Sequence, residues 1–263
     1  MHDAFQLQRS ARVLTVTFNR PERLNAFRRA EYTRLRDLLV EIEGDDETRV
    51  VILTGSGRGF CAGEDLKEVE AEGATHDASI TRDNVLVLQD ITRRIARSER
   101  VYIAAVNGVA AGFGAELACA CDLRVASRSA RFLFPEVRRG LFITNGISYL
   151  LPRIVGALWA STLLLTGEPI DATVAREIGM VTHLFEGEAL LAAAQALAAQ
   201  VAGCAPTSIR LTKQILRNDE GALERALDTE VEYLERSLAS QDYLEGARAF
   251  VEKRVPHFRG EGT

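Results

Sequence analysis

Histidine is scarce in this sequence. Of 263 residues four are His (His2, His76, His183 and His257), and two of those lie close to the chain ends. That leaves little material for a His-centred nucleophilic triad or a zinc site. Cysteine is as rare. Cys61, Cys119, Cys121 and Cys204 stand among apolar residues without metal-ligand spacing, which reads as reduced thiols packed in a core. No apolar run approaches the roughly 18–20 residues that a membrane span requires. Met1-His2-Asp3-Ala4-Phe5 lacks the basic and apolar regions of a signal peptide, so the expected setting is cytoplasmic. A basic balance is missing too: the formal charge of −5 argues against nucleic acid as the main partner, since binding it needs a basic face. An anionic small ligand remains open, because a few local Lys and Arg residues suffice to hold one.

What is present is ordinary in bulk. Hydrophobic content of 47% and charged content of 26% suit a globular chain with ample length for one large core, with or without an appendage. Alternation over Val13–Phe18 predicts a half-buried strand, broken by Asn19-Arg20-Pro21. A helix follows over about 28–43, ended by Gly44-Asp45-Asp46, and Val50–Leu53 and Val101–Val106 read as buried strands. The acidic, small-residue text over 68–79 suggests a surface segment, and 83–97 a helix. Leu123–Ala126 and 180–184 read as further strands. The chain after Pro152 reads as mostly helical, with pieces at 157–165, 171–178, 189–201, 207–217, 223–238 and 243–254. The shift to helices only, near Cys204-Ala205-Pro206, divides the chain into 1–203 and 204–263.

Two glycine-rich turns carry chemistry. Thr54-Gly55-Ser56-Gly57-Arg58-Gly59-Phe60-Cys61-Ala62-Gly63-Glu64-Asp65-Leu66-Lys67 is not a phosphate loop: it has no Gly-Lys-Ser/Thr, and its glycines miss the dinucleotide fingerprint. It reads as a strand, small residues and a helix start near Asp65, where outward backbone N–H groups favour an anion or a polarised oxygen. Asn107 to Glu116 has the same character. Each turn alone is an ordinary strand-to-helix connection; together they could aim two N–H groups at one carbonyl oxygen, an oxyanion hole. Glu116 ends the second turn, and Glu136 follows Phe132-Leu133-Phe134-Pro135. A glutamate in a first helical turn can simply answer the positive helix end, and Glu136 is either an exposed loop residue or a desolvated acid. Held together against apolar walls, the two can take different pKa values, so that one accepts a proton while the other donates one.

Four frames in order resemble the enoyl-CoA hydratase/isomerase (crotonase) superfamily: Asn19 through Ala26, Phe60 through Lys67, Asn107 through Asp122, and Pro135-Glu136 with Gly140. The resemblance covers nearly the whole chain. It implies an α/β fold, a spiral of ββα repeats over 1–203, followed by a helical region over 204–263 that drives assembly into a homotrimer or a hexamer of two trimers. It also implies an acyl-CoA thioester as substrate, in fatty-acid or related acyl-CoA metabolism. The thioester oxygen would sit between the backbone N–H groups of Glu64 and Phe113. Arg23, Ala62, Lys67 and Lys253 fall at CoA-binding positions. Glu116 and Glu136 match the two hydratase acids, the first taking a proton from water as its oxygen attacks C3, the second delivering one to C2. That chemistry calls for no metal or redox cofactor, CoA being part of the substrate.

The chain also departs from the pattern. Ile143-Thr144-Asn145-Gly146-Ile147 replaces a Pro-Gly-Ala-Gly-Gly run that lines the acyl pocket, Phe113 replaces a frequent glycine and is expected to narrow the site, and Arg138-Arg139 has no role in the pattern. Hydration of a trans-2-enoyl-CoA is the leading expectation. A Δ3-Δ2-enoyl-CoA isomerase needs only one of the acids; a thioester hydrolase or a non-catalytic acyl-CoA binder are the readings from other classes.

Overall fold

In the computed structural model residues 4–65, 78–218 and 221–260 are described. Lys67 and residues 68–77 of the acidic stretch 68–79 lie outside them, and the last two residues of that stretch open a helix. The first two strands, β1 (Phe5–Ser10) and β2 (Val13–Phe18), pair antiparallel. From β2 onward one sheet runs parallel through β3 (Val50–Gly55), β5 (Val101–Val106), β7 (Leu123–Ser127) and β10 (His183–Phe185), in the order β1-β2-β3-β5-β7-β10. Its central strands are Val, Ile, Leu and Ala because both faces are covered. Leu14, Val16, Val51, Leu53, Tyr102, Ala104 and Val106 face the main core. The alternate residues Val13, Val50, Ile52, Val101, Ile103 and Ala105 pack under Leu190, Ala194 and Ala198 of a helix, Gly187–Ala202.

A second sheet is built from very short strands: β4 (Gly59–Cys61), β6 (Val109–Ala111), β8 (Arg131–Leu133) and β9 (Ile170–Asp171), in that order, with only β9 antiparallel to its neighbour. Three strands of the first sheet, β3, β5 and β7, are each followed by a short strand of the second and then by helical chain. β3 and β4 lead to a helix over Ala78–Arg97, β5 and β6 to one over Phe113–Ala120, and β7 and β8 to a 3₁₀ turn at Glu136–Arg139. This is the expected succession of ββα units. In chain order the helices are α1 (Arg29–Glu43), α2 (Ala78–Arg97), α3 (Phe113–Ala120), α4 (Ile147–Thr166), α5 (Ala172–Glu177), α6 (Gly187–Ala202), α7 (Pro206–Leu216), α8 (Ala222–Leu238) and α9 (Gln241–Glu252).

Three differences from the sequence reading have physical causes. β1 and the whole second sheet escape the pattern. β1 is apolar only at Phe5 and Leu7, strands of two or three residues show no period, and Gly59-Phe60-Cys61 reads as loop. α4 begins ten residues before the expected 157, because Pro152 suggests a break; the non-helical backbone actually falls at Gly156 (φ 78, ψ 159). By length and composition α4 is also apolar enough to cross a membrane, although Arg153 interrupts its apolar run. Its two parts, however, bury Ile147, Leu150, Leu151, Val155, Ala160 and Leu163 within this fold.

The helices after residue 204 join the rest of the fold through buried contacts. Leu223 and Leu227 of α8 belong to the main core. Lys213 of α7 is buried and donates to the carbonyls of Ile95 (3.1 Å) and Arg100 (2.7 Å) and to Asp122 Oδ2 (2.8 Å). Burial pulls its ammonium pKa down and Asp122 pulls it back up.

Candidate active site

The site begins where the two sheets hand the chain to α3. Gly112 sits at the N-terminal end of that helix with φ +50, ψ −124, a conformation that strains any L side chain. A Cβ there would lie 3.1 Å from Glu136 Oε1, so this glycine lets the second acid close over the turn. All eight residues of α3 are buried, and Gly114 passes so near β4 that a Cβ would meet the Cys61 carbonyl oxygen at 2.0 Å.

Glu116 lies in the first turn of α3, its N–H donating to Gly112 O at 3.0 Å, and is 2% exposed. Glu136 opens the 3₁₀ turn after Pro135. As a residue it is partly exposed, but its Oε2 is fully buried. Burial raises the Glu116 carboxyl well above the usual range; the nearby Glu136 charge adds to the rise and a hydrogen bond from Asn145 opposes it. Burial raises Glu136 as well, against its own backbone N–H and the Arg139 cation. Two such acids titrate as a pair and keep one proton to higher pH than a lone carboxyl would. Each leaves one buried oxygen without a hydrogen-bond partner: Glu116 Oε1 and Glu136 Oε2. Folding therefore brings the two sequence-predicted acids together, with an acceptor on each unsatisfied.

The expected amide pair is also adjacent. Gly63 (φ +86) comes so close to the second sheet that a Cβ would lie 2.9 Å from Ala111 O and 3.7 Å from Phe113 N. Phe113 is the first residue of α3, so its N–H has no intrahelical acceptor. Glu64 forms a parallel bridge with Phe27, bracketed by Phe27 N–H to Gly63 O and Asp65 N–H to Phe27 O, both 2.8 Å. In that pattern Glu64 directs its own N–H to the opposite edge, the side of β6 and Phe113. Its side chain is exposed. The Phe113 ring, expected to narrow the site, is buried among other aromatic rings. It packs edge-on against Tyr32 (4.8 Å) and against Phe27 (5.6 Å).

The CoA-binding candidates are scattered. Ala62 is half-buried and its N–H donates to Leu24 O at 3.1 Å. Arg23 ends the 3₁₀ turn Pro21–Arg23 and Lys253 caps α9 in a left-handed conformation, both exposed. Neither side chain is hydrogen-bonded to another candidate among the described residues. Arg20, three residues before Arg23, is tied down instead: it donates to Asp65 Oδ2 (2.8 Å) and Ala26 O (2.6 Å). Asn25, in the same frame, is buried and bridges the Ser56 and Gly59 carbonyls at 2.9 and 2.7 Å. That motif shapes the first turn. Of the unassigned arginines, Arg138 pairs with Glu168 (2.6 Å) and Arg139 lies over the Phe250 ring (5.2 Å).

Sequence reasoning missed three further residues. Asn145 donates from Nδ2 to Glu116 Oε2 and to Thr144 Oγ1 (3.1 Å). Glu230 of α8 is 1% exposed and accepts from Gly146 N–H (2.6 Å), Ser148 N–H (2.9 Å) and Ser148 O–H (2.5 Å), capping α4 from outside. Gln89 of α2 joins Thr144 O (3.0 Å) to Leu227 O (2.8 Å). The only available signal was the unusual Thr144-Asn145-Gly146 text; nothing linked it to residues 89 or 230.

Comparison with known proteins agrees with the geometry. The family model described as enoyl-CoA hydratase/isomerase matches residues 8–261. A 1,2-epoxyphenylacetyl-CoA isomerase of Escherichia coli K12 is 39% identical over 95% of each chain. A probable enoyl-CoA hydratase of Mycobacterium bovis is 37% identical over 94% of this chain and 89% of its own. The crystal structure of an enoyl-CoA hydratase/isomerase from Pseudoalteromonas atlantica superposes with a TM-score of 0.87 at 36% identity, covering 98% of this chain and all of that one. An acid pair beside two converging amide turns, on this fold and with these relatives, leads to one statement: the chain belongs to the enoyl-CoA hydratase/isomerase, or crotonase, family.

Proposed function

We propose that the protein adds water across the double bond of a trans-2-enoyl-CoA to give a 3-hydroxyacyl-CoA, and catalyses the reverse. The observation carrying this is the pair of unpartnered buried oxygens on Glu116 and Glu136 beside the Gly63–Phe113 approach. The thioester oxygen accepts from the N–H groups of Glu64 and Phe113, which stabilise the charge it gains as C3 is attacked; one such donor contributes roughly 3–4 kcal/mol. Glu116 takes a proton from water while the remaining hydroxyl bonds to C3. Glu136 gives its proton to C2, so H and OH are added in all. The pair ends with its single proton on Glu116 rather than Glu136, and exchange with solvent resets it. The form with that proton on Glu116 is the starting form for dehydration. Both directions use the same proton in two positions.

As proposed, the reaction uses no metal or redox cofactor. Arg23, Ala62, Lys67 and Lys253 are assigned to CoA by their family positions. Assembly into a homotrimer or a dimer of trimers is part of the proposal, supported by the exposed apolar side chains of Leu158, Leu165, Ile215, Leu216 and Val255.

The test is the ultraviolet absorbance of the enoyl thioester on adding protein to crotonyl-CoA and to longer or branched enoyl-CoAs. It should fall, and each of Glu116→Gln and Glu136→Gln should abolish most of the change. Unchanged absorbance with every substrate excludes hydration. A second reading, double-bond migration, is favoured by the closeness of Glu136 to Gly112, since one acid can carry that proton. It predicts that Glu136→Gln alone is inactivating, with 3-enoyl-CoA as substrate.

A further inference from the structure

Asn145 is fully buried, and its two amide atoms are treated differently. Nδ2 donates to Glu116 Oε2 and Thr144 Oγ1, while Oδ1 has no partner. In the form ready for hydration Glu116 is ionised and only accepts, so the amide nitrogen faces it and the oxygen turns away. Leaving a buried acceptor unmet disfavours the folded state, so such an atom calls for an explanation. Its backbone is held from both sides. Glu230 fixes Gly146 and Ser148, and Gln89 fixes the Thr144 carbonyl. The amide therefore has a set direction, beside the acid that would activate water.

Resting on the hydration chemistry proposed above, we propose that Asn145 is a substrate-contacting residue that selects for a hydroxyl on C3 of the acyl group. The attacking water has two hydrogens. One goes to Glu116 Oε1 as the C3–O bond forms. The other stays on the product, and Asn145 Oδ1 accepts it throughout, turning an oxygen lone pair toward C3. After transfer Glu116 donates to the new hydroxyl oxygen, and Asn145 still accepts that hydroxyl's hydrogen. Glu136 is then left to serve C2 alone. Double-bond migration makes no such hydroxyl and draws nothing from Asn145. The side chain thus discriminates a 3-hydroxyacyl-CoA from the acyl-CoA lacking the hydroxyl.

The experiment compares dissociation constants of 3-hydroxybutyryl-CoA and butyryl-CoA by titration calorimetry, in a Glu136→Gln background that stops turnover. With Asn145 present the hydroxyacyl ligand should bind at least ten-fold more tightly than butyryl-CoA. Adding Asn145→Ala should bring that ratio within three-fold of unity while butyryl-CoA binding changes little. An unchanged ratio, or equal weakening of both ligands, overturns the proposal and leaves Asn145 as a prop for Glu116. Should Asn145→Ala not fold, Asn145→Leu fills similar space without an acceptor: loss of the ratio supports the proposal, and its retention refutes it. If the unmodified enzyme hydrates no enoyl-CoA, the functional proposal fails, yet the binding ratio still decides the role of Asn145.

Discussion

Replacing Glu136 by Gln removes a proton-transfer group and relieves a buried charge, and the two effects have opposite signs. Burial lifts the Glu136 carboxyl from 4.5 to about 7, whereas an unfolded glutamate titrates near ~4.3. The folded protein holds this proton more tightly than the unfolded chain. Its contribution to stability is therefore complete below the unfolded value and is lost as pH rises through about 7. A displacement of one pH unit corresponds to ~1.4 kcal/mol, so ionising Glu136 in place costs on the order of 3 kcal/mol at pH 8. Gln never ionises. The variant should thus melt higher at pH 8, by roughly 5–10 °C for a chain of this size, with the gain shrinking toward pH 5. Hydration of crotonyl-CoA should fall by about 10²–10⁴ for loss of a general acid. Scanning calorimetry between pH 5 and pH 8, alongside the absorbance assay, measures both. A variant no more stable than the parent at pH 8, or stabilised equally at pH 5, would show that Glu136 is not a desolvated acid.

Three more substitutions probe the surroundings. Gly112→Ala puts a methyl 3.1 Å from Glu136 Oε1 at φ +50, and should lower kcat at least ten-fold while costing about 1–3 kcal/mol in a denaturant melt. Lys213→Met leaves the Ile95 and Arg100 carbonyls without their buried donor and weakens the pairing of Asp122; about 3–5 kcal/mol of stability should be lost in urea unfolding. Glu230→Ala strips the cap from Gly146 and Ser148, and should reduce kcat far more than it raises KM, because it loosens Asn145 and hence Glu116 without touching the CoA positions. A proportionate loss in both constants would place Glu230 elsewhere in the machinery.

The long strands and helices were legible because apolar period and length agree there: Val50–Leu53 and Val101–Val106 are unbroken apolar runs, and α6 to α9 carry helical spacing. The second sheet was not, because three residues such as Arg131-Phe132-Leu133 hold no period and take their conformation from neighbours already in place. At the site, Glu116 and Glu136 could be singled out since each is an acid in apolar or glycine-rich text. Asn145, Gln89 and Glu230 could not, for they meet across 138 and 84 residues of chain (Gln89–Leu227 and Gly146–Glu230), and neutral or acidic surface residues look the same in a string.

The cap that Glu230 places on α4 has a consequence for biosynthesis. Both acids and both amide turns have left the ribosome soon after residue 136 is made, yet Glu230, which supports the Asn145 segment, arrives almost a hundred residues later. A chain that stalls or is clipped ahead of α8 would carry every reacting group proposed above and still lack their alignment, so competence for catalysis waits on α8.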